Sequence, residues 1–201
     1  MSEMLNKIQN RILNESTYWG IKTLKSPVDF WIYSEILFKI KPDLLIEIGN
    51  FHGGSALSYA HIFDILNNGL VLAIDIDHSN IATEVRKHER IHLIESDAKL
   101  CVEQVSNYVN DNMKVLVIED SSHEYDNTLK LLREYSKFVS KNSYYIVEDT
   151  ICHHGLNVGP KPGPFEAVES FLQNNNEFLI DKSCENFGIT WNPNGYLKKM
   201  Y

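Results

Sequence analysis

Five stretches of the chain are almost continuously apolar and rich in β-branched residues: Leu44–Ile48, Leu70–Ile74, Ile91–Ile94, Val115–Ile118 and Tyr144–Val147. A strand with one wet face alternates apolar and polar residues, whereas a strand covered on both faces reads as a run. Between the runs, Ser55–Leu66, Ile81–Lys87, Ala98–Val109 and Tyr125–Val139 carry helical spacing. In the last of these, Leu129, Leu132, Ser136 and Val139 follow at three- and four-residue steps, which marks a core-facing stripe. Strands alternating with helices imply βαβ units, so the pattern predicts an α/β fold with a doubly wound, mostly parallel sheet.

The flanks extend this picture. Pro27–Ile40 predicts a further helix with Pro27 in its first turn, covering either the sheet edge or the ligand cleft. The expected organisation is one domain, with residues 1–40 as an N-terminal helical cover and residues 41–201 as the core. After Asp149, a segment bearing Gly155, Gly159, Pro160, Pro162, Gly163 and Pro164 predicts a long loop of the kind that forms lids, ahead of a helix near Phe165–Leu172. Asn194-Gly195 lies between Ile189–Trp191 and Tyr196–Lys198 and predicts an antiparallel C-terminal hairpin.

Composition narrows the function. The 19 Lys and Arg against 27 Asp and Glu give a net charge of −8, which repels a phosphate backbone, so nucleic acid is not an expected partner. No apolar run approaches the roughly 20 residues of a transmembrane helix, and the N-terminus lacks the pattern of a secretory leader. Cys101, Cys152 and Cys184 are widely separated and odd in number, which argues against a disulfide framework or a thiolate zinc site and for a reducing, cytoplasmic setting. Self-association into a homo-oligomer stays open.

The end of the first strand reads Glu47-Ile48-Gly49-Asn50-Phe51-His52-Gly53-Gly54-Ser55, which is strand, glycine turn and helix start in order. Doubly wound folds bind nucleotides there. A dinucleotide fingerprint needs glycine where this chain has Phe51, because backbone must approach a pyrophosphate. The departure leaves an adenosyl ligand without pyrophosphate, and S-adenosylmethionine fits. Glu47, Gly49, Asn50, His52, Gly53 and Ser55 are the candidate cofactor residues of this turn. Asp75, at the end of the second strand, is the candidate for the ribose hydroxyls, with Asp77 in reserve as either a second ligand or a helix cap. Ser96 and Asp97 follow the third strand, where the adenine would lie.

Asp120 ends the fourth strand, and Glu148 and Asp149 end the fifth. Adjacent strands are about 4.8 Å apart, so these acids, Asp120 also bordering the cofactor, are candidates for one site. Clustered carboxylates favour a hard cation, Mg²⁺ or else Mn²⁺. Glu119 points to the other side of its strand. His123 follows Asp120 by three residues and is a candidate general base, with Asp120 as its catalytic partner. His153 and His154 read as loop residues.

Together these residues resemble the cephalosporin hydroxylase family, which also contains rhamnosyl O-methyltransferases and has a class I methyltransferase fold. The similarity runs from Trp19 to Tyr196. It is carried by Lys25-Ser26-Pro27-Val28-Asp29, Gly49-Asn50-Phe51-His52-Gly53-Gly54-Ser55-Ala56, Ile74-Asp75-Ile76-Asp77, Asp120-Ser121-Ser122-His123, Val147-Glu148-Asp149-Thr150, Pro162-Gly163-Pro164 and Asn192-Pro193-Asn194-Gly195-Tyr196-Leu197. The resemblance implies S-adenosylmethionine at the glycine turn and Mg²⁺ on Asp120, Glu148 and Asp149. Asn50-Phe51, Glu119 and Ser122 depart from the family pattern and bear on the acceptor. The expected function is Mg²⁺-assisted O-methylation of a sugar or other polyol hydroxyl. The competing readings are a non-haem iron hydroxylase, whose cupin sites belong to jelly rolls, and a non-catalytic cofactor-binding module.

Overall fold

The computed structural model describes residues 2–201. Helix α1 (Ser2–Glu15), a short antiparallel pair β1 (Thr17–Tyr18) and β2 (Ile21–Lys22), and helix α2 (Pro27–Ile40) precede the main sheet. Then follow β3 (Leu44–Ile48), α3 (Gly54–Leu66), β4 (Leu70–Asp75), α4 (Thr83–Lys87), β5 (Ile91–Glu95), α5 (Val102–Ser106), β6 (Val115–Glu119), α6 (Tyr125–Tyr135), β7 (Tyr144–Val147), α7 (Pro164–Leu172), β8 (Phe178–Ile180) and β9 (Tyr196–Lys199). The sheet order is β5-β4-β3-β6-β7-β9-β8, parallel through β7 and antiparallel at β9 and β8.

Every side chain of β3, β6 and β7 is buried, because both faces of the sheet are covered. Leu44, Ile46 and Ile48 pack with Val105, Leu129, Leu132 and Val168 on one face. Leu45, Val71 and Leu116 pack with Ile32, Leu37, Ala60 and Phe63 on the other. The chain order reverses between β3 and β6, the crevice where open α/β sheets place their ligands.

The predicted helices form with trimmed ends. Ala98–Val109 shortens to α5 because the Asp97 carboxylate accepts from the Lys99 N–H (2.9 Å), so a side-chain turn replaces the helix start. α2 begins as predicted, with Ser26 as N-cap and Pro27 in the first turn.

The antiparallel C-terminal pair also forms, but Ile189–Trp191 is not its other strand. β9 pairs with Phe178–Ile180. Asp29, buried in α2, accepts from the Trp191 N–H (2.8 Å) and from Thr190 Oγ1, and the Trp191 carbonyl accepts from Ile151 N (3.0 Å). With its N–H and carbonyl both taken there, Trp191 has no backbone group to offer a ladder.

Candidate active site

The strand tips meet as the registers require. Ile48 pairs with Glu119 and Glu119 with Val147, so Gly49, Asp120 and Glu148 lie one step beyond three paired residues. Gly49 has φ +89°, and a Cβ there would collide with the Asp120 carbonyl, so glycine is what allows the turn to approach β6 so closely. The turn is then fastened by Asp75, whose Oδ2 accepts from the Asn50 N–H (2.7 Å) and the Phe51 N–H (3.0 Å).

A cavity of about 880 Å³ opens above these tips. Its floor holds Gly49, Asn50, Asp75 and Asp120; Ser96, Asp97, Lys99 and Asn127 form one end, and Gln9, Ile12, Leu13, Val158 and Trp191 form the outer wall. That volume suits a cofactor and a small acceptor. Lys99 Nζ donates to Asn127 Oδ1 (2.8 Å), and Asn127 Nδ2 donates to Ser121 Oγ (2.8 Å), which braces the polar end.

At the other end, charges gather. His123 Nε2 lies 3.0 Å from Asp120 Oδ1 and 3.4 Å from Asp149 Oδ2, and ligand atoms of these three residues lie within 4.8 Å of one another. The ammonium of Lys25 reaches Asp120 Oδ2 at 2.5 Å and Glu148 Oε1 at 2.6 Å. Burial pushes Lys25 down, but Asp120 and Glu148 outweigh it and hold the ammonium well above its ordinary pKa. Burial likewise disfavours the His123 imidazolium, yet the hydrogen bond to Asp120 and the charge of Asp149 raise it to about 9. Burial pushes Asp149 up to about 6. His123 (φ +59°) and Asp149 (φ +54°) both adopt left-handed backbone that such residues seldom take, and Phe51 (φ +52°) does so in the cofactor turn.

A family model described as Rhamnosyl O-methyltransferase/CmcI matches residues 10–200. The chain belongs to this family. By that membership it is an S-adenosylmethionine-dependent O-methyltransferase. Rhamnosyl O-methyltransferase of Mycobacterium tuberculosis is 33% identical over 195 residues, covering 94% of this chain and 80% of that one. The same-named protein of Mycobacterium leprae is 34% identical over 196 residues, covering 94% and 85%. Among solved structures, a CmcI form described as Mg-SAM superposes with TM-score 0.73 at 20% identity, covering 92% of this chain and 77% of that one. An O-methyltransferase from Bacillus cereus in complex with SAH gives 0.62 at 12%, covering 100% and 90%. The last two show the shared α/β fold, and a jelly roll is not what this chain forms.

For this family member, the cavity wall contains Gly49, Asn50, Ser55, Asp75, Ser96, Asp97 and Asp120 from the predicted set, but not Glu47, His52 or Gly53. His52 stacks its ring on Phe51, with centroids 4.0 Å apart, and Gly53 caps α3. Glu47 is fully buried behind the turn, where its Oε2 accepts from Asn50 Nδ2 (2.9 Å). Asp77 caps its own loop by accepting from the Ser79 N–H (2.7 Å). Glu119 faces away, accepting from the Ser121 N–H (3.2 Å). His153 and His154 lie in the loop, on the Gly159 carbonyl and on Glu166. Of the predicted metal set, Asp120 and Asp149 converge with His123, while Glu148 faces Lys25.

Burial pushes the Glu47 carboxyl from 4.5 up to about 7. Between those values the folded chain holds a proton that the unfolded chain has released, so wild-type stability falls as pH rises through this window and levels off above it. Glu47→Gln removes that titration and should gain roughly 2 kcal/mol on wild type between pH 5 and pH 8. Urea unfolding at both pH values measures it, and a constant difference between the two proteins would refute the assignment.

Sequence reasoning missed Lys25 and Asn192 as site residues, although both stand in the stretches that carry the family resemblance. Asn192 Oδ1 accepts from the Asp149 N–H (3.0 Å), and its Nδ2 donates to Tyr33 Oη (2.6 Å). It therefore holds the strained tip that presents Asp149. Asn192→Ala is expected to lower kcat by about 10- to 100-fold, as loss of a ligand's support does, with far-UV circular dichroism unchanged. Wild-type kcat in the folded variant would show that Asp149 holds its place without it.

Proposed function

We propose that this chain methylates a hydroxyl of a sugar or related polyol, taking the methyl group from S-adenosylmethionine and using a bound divalent cation. The observation that carries the reading is the meeting, in one cavity, of a glycine turn fastened by Asp75 with the Asp120–His123–Asp149 cluster. The names of the mycobacterial relatives support a sugar acceptor, and the Mg-SAM form of CmcI supports the cation.

The residues fit both groups. Asp75 faces the cavity beside the turn, where a carboxylate can accept from ribose hydroxyls, and Ser96, Asp97 and Asn127 offer polar partners to an adenine. Asp120 and Asp149 would hold a hard cation, with Glu148 as a third carboxylate at the neighbouring position. Asp120 already bridges two positive groups, Lys25 and His123, the charge of one divalent ion. When bound, the ion would supply a Lewis acid that lowers the pKa of the acceptor hydroxyl, and S-adenosylmethionine would supply the electrophilic methyl.

The chain's own part is binding, orientation and the proton. His123 is an imidazolium while Asp120 and Asp149 face its Nε2. With those two carboxylates holding a cation, its pKa would fall, and the freed Nε2 would then be the atom placed to take the hydroxyl proton. Ile12, Leu13, Val158 and Trp191 keep the outer wall apolar and limit water at the reacting centre. The test is incubation with methyl-labelled S-adenosylmethionine and a panel of sugars and phenols, with Mg²⁺ or with excess chelator. Label on a sugar that depends on Mg²⁺ is the expected result. Undiminished transfer in chelator would defeat the cation's role, and label on phenols alone would defeat the acceptor class.

A further inference from the structure

Lys25 lies in the strap that joins β2 to α2, and the strap's backbone is tied down on both sides of it. Thr23 N donates to the Ser16 carbonyl (3.0 Å), and Thr23 Oγ1 stands so close to Gly54 that a Cβ there would strike it. On the other side, Ser26 caps α2. The Lys25 side chain is nevertheless long and flexible, and it borders the cavity. The side chain is 5% exposed, and its ammonium takes an oxygen each from Asp120 and Glu148, two of the three acids that the strand tips present to a cation.

We infer that Lys25 is a built-in competitor of the divalent cation: its ammonium occupies Asp120 and Glu148 until a metal ion arrives, then swings into the cavity. The inference rests on the cation of the proposed function. A hard cation and an ammonium draw on the same carboxylate oxygens, and like charges cannot share them at contact distance in a buried site. In the metal-free chain, Lys25 keeps the neighbouring tips from repelling each other. The exchange also ties metal uptake to the cover, because the released side chain enters the space where an acceptor binds.

The test is a titration of the full chain with Mn²⁺, followed by water-proton relaxation, without S-adenosylmethionine or acceptor. Wild-type binding that is lost in Asp120→Asn locates the ion at this site. Failure of that control would defeat the metal reading itself, separately from the competition. Given the control, Lys25→Met is expected to bind Mn²⁺ roughly tenfold more tightly, since the competing state is gone. Equal or weaker affinity overturns the competition.

The wild-type chain gives a second readout that does not depend on the variant folding. Acetic anhydride labelling, read by peptide mass spectrometry, should find Lys25 protected without metal and labelled several-fold faster with saturating Mn²⁺, while exposed Lys130 stays constant. Unchanged or slower labelling of Lys25 in the metal-bound chain overturns the inference.

Discussion

Asp120→Ala is expected to lower kcat/KM for methyl transfer by roughly 1,000-fold or more while leaving S-adenosylmethionine affinity within a few-fold of wild type. One carboxylate serves two partners: Oδ1 sets the imidazole of His123, and Oδ2 holds Lys25. Its loss removes a cation ligand and the orientation of the base together, whereas Asp75 and the glycine turn stay in place. Alanine also leaves the Lys25 ammonium with Glu148 as its remaining carboxylate partner, and unpairing a buried charge costs up to about 3–5 kcal/mol. Asp120→Asn keeps the shape of the side chain but also removes its charge beside Lys25; it should be comparably inactive, and urea unfolding of both variants separates catalysis from stability. Transfer assays and calorimetric titration of S-adenosylmethionine measure the two effects. Activity within tenfold of wild type in the asparagine variant would remove Asp120 from the mechanism.

Gly49→Ala is expected to destabilise the fold by about 2–4 kcal/mol and to cost most of the activity. The backbone at Gly49 is left-handed, and the added methyl would press on the carbonyl of Asp120, so turn and β6 must separate. Because the residue pushed is Asp120 itself, stability and catalysis should fall together. Urea midpoints and transfer rates on the same preparation test the coupling. A loss under about 1 kcal/mol with normal turnover would show that the turn relaxes without moving the carboxylate.

The five apolar runs named the central strands to within a residue or so, because strands covered on both faces are mostly apolar, Glu47 and Glu119 being buried exceptions and β5 at the sheet edge being only partly covered. β8 gave no comparable signal: Phe178–Ile180 is a short strand at the sheet's edge, with Leu179 exposed. The Asn-Gly turn signal was sound for a bend before β9 and wrong about which strand pairs there, since Asp29, far away in sequence, claims Thr190 and Trp191.

The sequence by itself determined the fold class, the positions of the central strands along the chain and the presence of acids at the tips of β6 and β7, because periodicity and residue type are local properties. Only the tertiary structure decided which side chains meet. Lys25 is 95 residues from Asp120 and 123 from Glu148, and Asn192 is 43 from Asp149. Contacts over such separations are set by packing of the cover and the C-terminal segment against the strand tips, and no spacing along the chain encodes that.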